Sequence, residues 1–210
     1  MNYYLSSFHL GNSADVLQKW CVGRKPLAII MSAADFVEPL ERAEKIKENI
    51  AELRSIGIES RELDLRGFFH HDKKEVYDAM KNYGGLFVRG GNTFLLRKAM
   101  KYSGLDLFIQ EKARDTNDSE FVYAGYSAGV CVLAPTLRGL ELVDPPHESA
   151  EGYGDEVLWD GLGLVEYLVA PHYQSEHPEA GMVDLSVKYF QDHKMPFKTL
   201  RDGEVILFSR

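Results

Sequence analysis

Residues 120–134 constrain the fold more than any other stretch of this chain. The apolar run Phe121-Val122-Tyr123-Ala124 reaches Gly125-Tyr126-Ser127-Ala128-Gly129, and a second apolar run, Val130-Cys131-Val132-Leu133-Ala134, follows at once. The first run has the length and the aromatic and β-branched content of a buried strand; the second reads as the start of a helix. A strand that becomes a helix within five residues must turn tightly. Glycines flank Ser127 because a Cβ there would collide with the neighbouring strand or helix. The serine then stands at the apex with its hydroxyl exposed. The free N–H groups of the new helix point to where an oxyanion would form. Gly-x-Ser-x-Gly alone is a common chance match in loops, but between a strand and a helix it has the context of a nucleophile elbow.

The rest of the chain repeats the alternation. Residues 3–8 and 26–31 read as strands, and the second is almost wholly apolar, as a strand covered on both faces should be. Residues 13–22 read as a short helix capped by Ser13. Residues 38–56 carry Leu40, Ala43, Ile46, Ile50 and Leu53 at helical spacing, and Gly57 stops them. Residues 58–65 alternate like a strand, 73–83 form a helix, 85–88 another buried strand, and 93–102 and 105–114 two more helices. This βαβαβ pattern predicts an α/β three-layer sandwich, a mostly parallel sheet flanked by helices. Residues 140–163, with Asp144-Pro145-Pro146 and several glycines, form an irregular excursion of the kind that carries specificity. Residues 167–170 return to a strand. In residues 181–193, Met182, Leu185, Tyr189 and Phe190 make one helical face. Strands at 197–200 and 205–208 flank Arg201-Asp202-Gly203-Glu204, a hairpin-type turn signal.

A chain of 210 residues without linker or repeat is expected to form a single domain over 1–210. The net charge of -8, with no cluster of Lys and Arg, argues against a nucleic-acid partner. No apolar run approaches membrane-spanning length, and the N-terminus resembles neither a signal peptide nor an anchor. Two cysteines, Cys21 and Cys131, make no disulfide framework, so a cytoplasmic location is expected.

A serine nucleophile needs a base. Of the seven histidines, His172 directly follows an apolar strand and Pro171, which puts it at a strand end, on the face where Ser127 should emerge. His70 and His71 suit a solvated turn, and His193 suits a helix end. The third group must be an acid. Asp202, Glu204, Glu176 and Asp144 all compete, and spacing does not choose among them. Arg89-Gly90-Gly91-Asn92-Thr93-Phe94 follows a strand and opens a helix. It lacks the lysine of a phosphate loop and the third glycine of a dinucleotide fingerprint. Gly90 or Gly91 could supply one oxyanion N–H and Ala128 the other, or the segment is a plain turn with Asn92 as helix cap. No His/Cys/acid cluster suggests a metal, and no organic cofactor is called for.

Taken in order, Gly90-Gly91-Asn92-Thr93-Phe94, Gly125-Tyr126-Ser127-Ala128-Gly129, Pro135-Thr136-Leu137-Arg138, Val143-Asp144-Pro145 and Pro171-His172-Tyr173 resemble the peptidase E (aspartyl dipeptidase) family of serine peptidases, to which cyanophycinase is related. The resemblance runs from about residue 25 onward. It implies a fold like the class I glutamine amidotransferase domains, of flavodoxin-like type. It also implies hydrolysis of dipeptides or short peptides by a Ser-His-acid mechanism. A monomer or homodimer is expected, and the sequence does not choose between them. Ser127 matches the family's nucleophile and His172 its base. The family's acid is a glutamate just before a glycine in a short turn, and Asp202-Gly203 occupies that place with a side chain one methylene shorter. The family's aspartyl dipeptidases also carry an arginine after the His motif; residues 176–190 contain none, and Lys188 is their only cation. Preference for an N-terminal aspartate therefore stays open. So do a hydrolase of another ester or amide bond, and a non-catalytic binding homologue.

Overall fold

The computed structural model describes residues 1–115 and 120–209. A six-stranded sheet forms its centre. The strands are β1 (Asn2–Ser6), β2 (Leu27–Ile30), β3 (Ser60–Glu62), β4 (Gly85–Val88), β5 (Val122–Tyr126) and, after a separate pair, β8 (Val205–Ser209), in the spatial order β3-β2-β4-β5-β1-β8. The first five are mutually parallel, and β8 joins β1 antiparallel at one edge. Alternation along the strands sorts side chains to the two faces. Ala28, Ile30, Leu86, Val88 and Tyr123 pack on one side; Leu27, Ile29, Phe87, Val122 and Ala124 pack on the other. β2 is at most 1% exposed throughout, because both faces are covered.

Helices α1 (Ala14–Cys21) and α2 (Pro39–Ser55) cover one face. Helices α3 (Lys73–Met80), α4 (Thr93–Ser103) and α5 (Leu105–Arg114) cover the other. The expected α/β sandwich is thus present. The helix after the elbow, α6 (Ala128–Cys131), is short. Within α2 the apolar spacing misleads at its start. Leu40 is exposed, whereas Arg42 is buried and pairs with Asp35 at 2.7 Å and Glu62 at 2.8 Å. Charge pairing, rather than hydrophobicity, fixes that turn of the helix. Among the described residues no helix is long and apolar enough to cross a membrane.

The C-terminal quarter departs from the sequence expectation. Strands β6 (Leu168–Ala170) and β7 (Phe197–Thr199) form a separate two-stranded parallel sheet, with Leu168 opposite Phe197 and Ala170 opposite Thr199. Helix α7 (Ala180–Asp192) is their crossover. It buries Val183, Ser186, Val187 and Phe190, while Met182 and Leu185 face solvent. The turn at residues 201–204 does form, with Gly203 at φ 97° and the Glu204 N–H bonded to the Arg201 carbonyl. It is not a hairpin: it carries the chain from the small sheet to the edge of the large one.

Candidate active site

The elbow is built as the glycine pattern requires. Ser127 sits at φ 52° and ψ -118°, a conformation that costs free energy for a residue with a Cβ and persists only where surroundings impose it. The surroundings are close. A Cβ on Gly129 would lie 2.2 Å from the Val88 carbonyl oxygen, and one on Gly125 would lie 2.9 Å from it. The end of β4 presses on the same turn: a Cβ on Gly90 would stand 2.7 Å from Cβ of Ser127. The Ser127 N–H is held by the carbonyl of Ser7, just beyond β1, at 3.2 Å.

His172 and Asp202 meet because their strands are parallel neighbours. Each leaves the carboxyl end of its strand, and the ladder continues past the strand ends. The Leu200 N–H donates to the Ala170 carbonyl at 2.9 Å, and the Tyr173 N–H to the Leu200 carbonyl at 3.0 Å. His172, itself at φ 61°, then lies with Nδ1 2.7 Å from Oδ1 of Asp202. A carboxylate can only accept, so Nδ1 carries the hydrogen and Nε2 is left with a free lone pair. Of the four acids that spacing left open, Asp202 is the one bonded to this imidazole. Glu204 accepts the Arg201 N–H at 2.7 Å, Asp144 accepts the Thr93 N–H at 2.9 Å, and Glu176 is exposed.

Ser7 was not anticipated. Its Oγ accepts the His172 N–H at 2.8 Å and donates to Oδ1 of Asp202 at 2.8 Å, while its carbonyl holds Ser127. One residue at the end of β1 therefore touches the elbow, the imidazole segment and the carboxylate. The only sequence trace of it was a pair of small polar residues, Ser6-Ser7, at the end of an apolar strand. The Asp202 N–H is fixed in turn by Ser175 Oγ at 2.8 Å. A second histidine, His177, stacks on His172 with ring centroids 3.7 Å apart and 11° between planes. Phe8 lies edge-on to both rings. Burial pushes the His172 imidazole below its ordinary range, and His177 adds to this, against the pull of Asp202.

Ser127, Ala128 and His172 line one narrow cavity. Its walls include Thr93, Cys131, Val143, Asp144, Glu179 and Val183. Asp144 belongs to the long excursion, which docks on the start of α4: Asn92 Nδ2 also donates to the Pro145 carbonyl at 2.8 Å. The Asp144 residue is only partly buried as a whole, but its carboxyl faces the cavity, and burial there pushes it up to about 7. Asn92 caps α4, its Oδ1 accepting from Phe94 and Leu95. That is the plain role foreseen for it. The N–H groups of Gly90, Gly91 and Ala128 donate to no protein acceptor among the described residues. A larger hollow, lined by Arg24, Lys25, Lys81 and Phe121, lies at the opposite, amino ends of the strands and contains none of these groups.

Residues 32–210 match the model of peptidase family S51. An uncharacterized peptidase of Listeria monocytogenes is 27% identical over 123 residues, 59% of this chain and 55% of that protein. Peptidase E of Streptomyces coelicolor is 27% identical over 149 residues, 67% of this chain and 54% of its own. The chain thus spans about half the length of the curated relatives it matches. A crystal structure of a provisionally assigned peptidase E protein from Listeria monocytogenes superposes with a TM-score of 0.76 at 22% identity, over 99% of this chain and 94% of that one. A peptidase from an acI-B1 Actinobacterium gives 0.65 at 18% identity, over 99% and 82%. At those identities the structures speak for the fold alone. The family model, which runs from the turn after β2 to the end of the sequence, says more: the chain belongs to peptidase family S51.

Proposed function

We propose that this protein is a serine peptidase that cleaves dipeptides or short peptides. The observation that carries the reading is the 2.7 Å contact between His172 and Asp202, on an imidazole that shares a cavity with the strained Ser127. Ser127 Oγ attacks the scissile carbonyl carbon while its proton passes to Nε2 of His172. The oxyanion is held by the free N–H groups of Gly91 and Ala128, with Gly90 beside them. His172 gives the proton to the departing amine, leaving an acyl-enzyme. Water, deprotonated by the same nitrogen, then releases the acid and restores the serine. Every step uses this chain's own groups. Two free, buried cysteines suit a reducing compartment such as the cytoplasm.

The cavity walls argue against an N-terminal aspartate. The lining holds two carboxyl groups, Asp144 and Glu179, and no lysine or arginine. An aspartyl side chain would meet the Glu179 carboxylate and the partly protonated Asp144 carboxyl with no cation to clamp it, so neutral N-terminal residues are preferred. In a panel of Asp-X, Glu-X, Gly-X and Ala-X dipeptides, Ala-X or Gly-X should be hydrolysed at least about tenfold faster than Asp-X. Turnover of Asp-X as fast as the neutral substrates would overturn this preference, and no turnover of any peptide would overturn the peptidase reading.

The pH dependence follows from His172. Its base is available only while neutral, and its folded value lies below the ordinary 6.5. The acid limb of kcat/KM is therefore expected below pH 6.5, in a pH profile on the best dipeptide. A limb at or above that value would contradict the burial argument. The same shift makes the unfolded imidazole take its proton first as pH falls, so this group lowers stability below 6.5.

A further inference from the structure

Ser127, His172 and Asp202 leave one neighbouring group unexplained. His177 and Glu179 lie beside the imidazole, and the peptidase mechanism gives them no step. Donor atoms of His172, His177 and Glu179 all fall within 4.8 Å of one another, and this is the one such trio among the described residues. We propose that these three residues form a reversible zinc site that switches the base off.

The chemistry of the donors sets the metal. Two imidazole nitrogens and one carboxylate oxygen suit zinc and its borderline neighbours, whereas magnesium and calcium prefer oxygen alone. His172 is already oriented as metal-binding histidines are: its Nδ1–H is held by the Asp202 carboxylate, leaving Nε2 to coordinate. The Cys131 thiol in the same cavity is held protonated by burial and adds no thiolate. Tetrahedral zinc wants donors about 3.4 Å apart, from its bond lengths of roughly 2.0–2.2 Å. Donors now up to 4.8 Å apart must therefore close to about 3.4 Å.

His177 supplies that movement. Its side chain is partly exposed and lies in the short loop between β6 and α7. Its Nδ1 accepts only a long 3.3 Å bond from the Glu179 N–H and stands 3.9 Å from the Glu179 carboxylate. A turn of the ring out of the parallel stack brings its lone pair toward that of His172. No lysine or arginine lines the cavity to compete for Glu179. Once Nε2 of His172 bonds to zinc, it has no lone pair for the serine proton, and hydrolysis stops until the metal leaves.

Zinc binding does not rest on the peptidase reading, although its consequence for turnover does, so binding and activity are measured separately. Binding is followed by calorimetry with zinc chloride on the Ser127→Ala protein, and by the visible ligand-field bands that cobalt(II) shows in a four-coordinate site. One zinc per chain is expected, with affinity reduced at least about tenfold in both His177→Gln and Glu179→Gln, and unchanged in His71→Gln, which alters an exposed His–Glu pair. In the wild-type protein zinc should inhibit with a midpoint equal to the dissociation constant, and a chelator should restore the rate. No binding, or binding indifferent to His177 and Glu179, would overturn the site. Binding without inhibition of an active enzyme would overturn the switch. Binding to a chain that hydrolyses no peptide would keep the site and remove the peptidase reading instead.

Discussion

Ser127→Ala should lower kcat on the best dipeptide by at least about 10⁴-fold while leaving the fold intact. The structure makes this a clean substitution. Ser127 Oγ takes part in no hydrogen bond among the described residues, so its removal orphans no partner; what holds the residue is its N–H on the Ser7 carbonyl and the packing of Gly90 and Gly129. Alanine tolerates φ 52° no worse than serine does, because the penalty comes from the Cβ that both carry. Thermal melting should therefore shift little, while a covalent fluorophosphonate label on the wild-type serine disappears. The comparison separates the nucleophile from every other serine near the site. Ser7 and Ser175 both make hydrogen bonds to Asp202 and are committed to holding it. If the alanine variant kept its rate, the elbow would be a structural turn, and the free N–H groups beside it would have no oxyanion to bind.

Much of this site is legible in the sequence. The elbow could be read because glycine at 125 and 129 is a local requirement: backbone of β4 lies where a Cβ would be. His172 could be read because a histidine after an apolar strand and a proline has few other places to go. Asp202 could not be chosen on residues alone, since Arg201-Asp202-Gly203-Glu204 satisfies an ordinary turn equally well. The turn is real, but the hairpin expected around it is not. Turn chemistry is local, whereas the pairing of β7 with β6 is decided by residues about 30 positions apart in sequence. That long-range pairing is what brings Asp202 to His172. Ser7 was missed for a similar reason, as its partners lie at 172 and 202. Leu40, Met182 and Leu185 read as core and are exposed, while Arg42 is buried by two acids on other segments. Periodicity records which side of a helix is apolar on average, and it cannot see a partner charge across the fold.

Asp202→Asn is expected to cost about 10⁴ in kcat, nearly as much as loss of the nucleophile, although it changes a single atom. The carboxylate accepts from Nδ1 of His172 and from Ser7 Oγ through the same oxygen, Oδ1. An asparagine there can present its amide hydrogens to Nδ1, which moves the imidazole proton to Nε2. The base is then a donor where it must accept, and the cation formed during attack has no charge beside it. Ser7→Ala makes the useful contrast. It removes a donor to the carboxylate and the acceptor of the buried His172 N–H, so it should cost about 1–3 kcal/mol of stability. It leaves the tautomer of His172 unchanged, and its effect on kcat should be far smaller than that of Asp202→Asn. Melting temperature and kcat measured on both variants thus pull apart two roles that meet on one oxygen. A large loss of rate with little loss of stability in Asp202→Asn, and the reverse in Ser7→Ala, is the pattern of an electrostatic partner beside a structural anchor. If Asp202→Asn stayed within tenfold of the wild type, the 2.7 Å contact would orient the ring without stabilising its charge. Asp202 would then have kept the geometry of a third group without its electrostatic function.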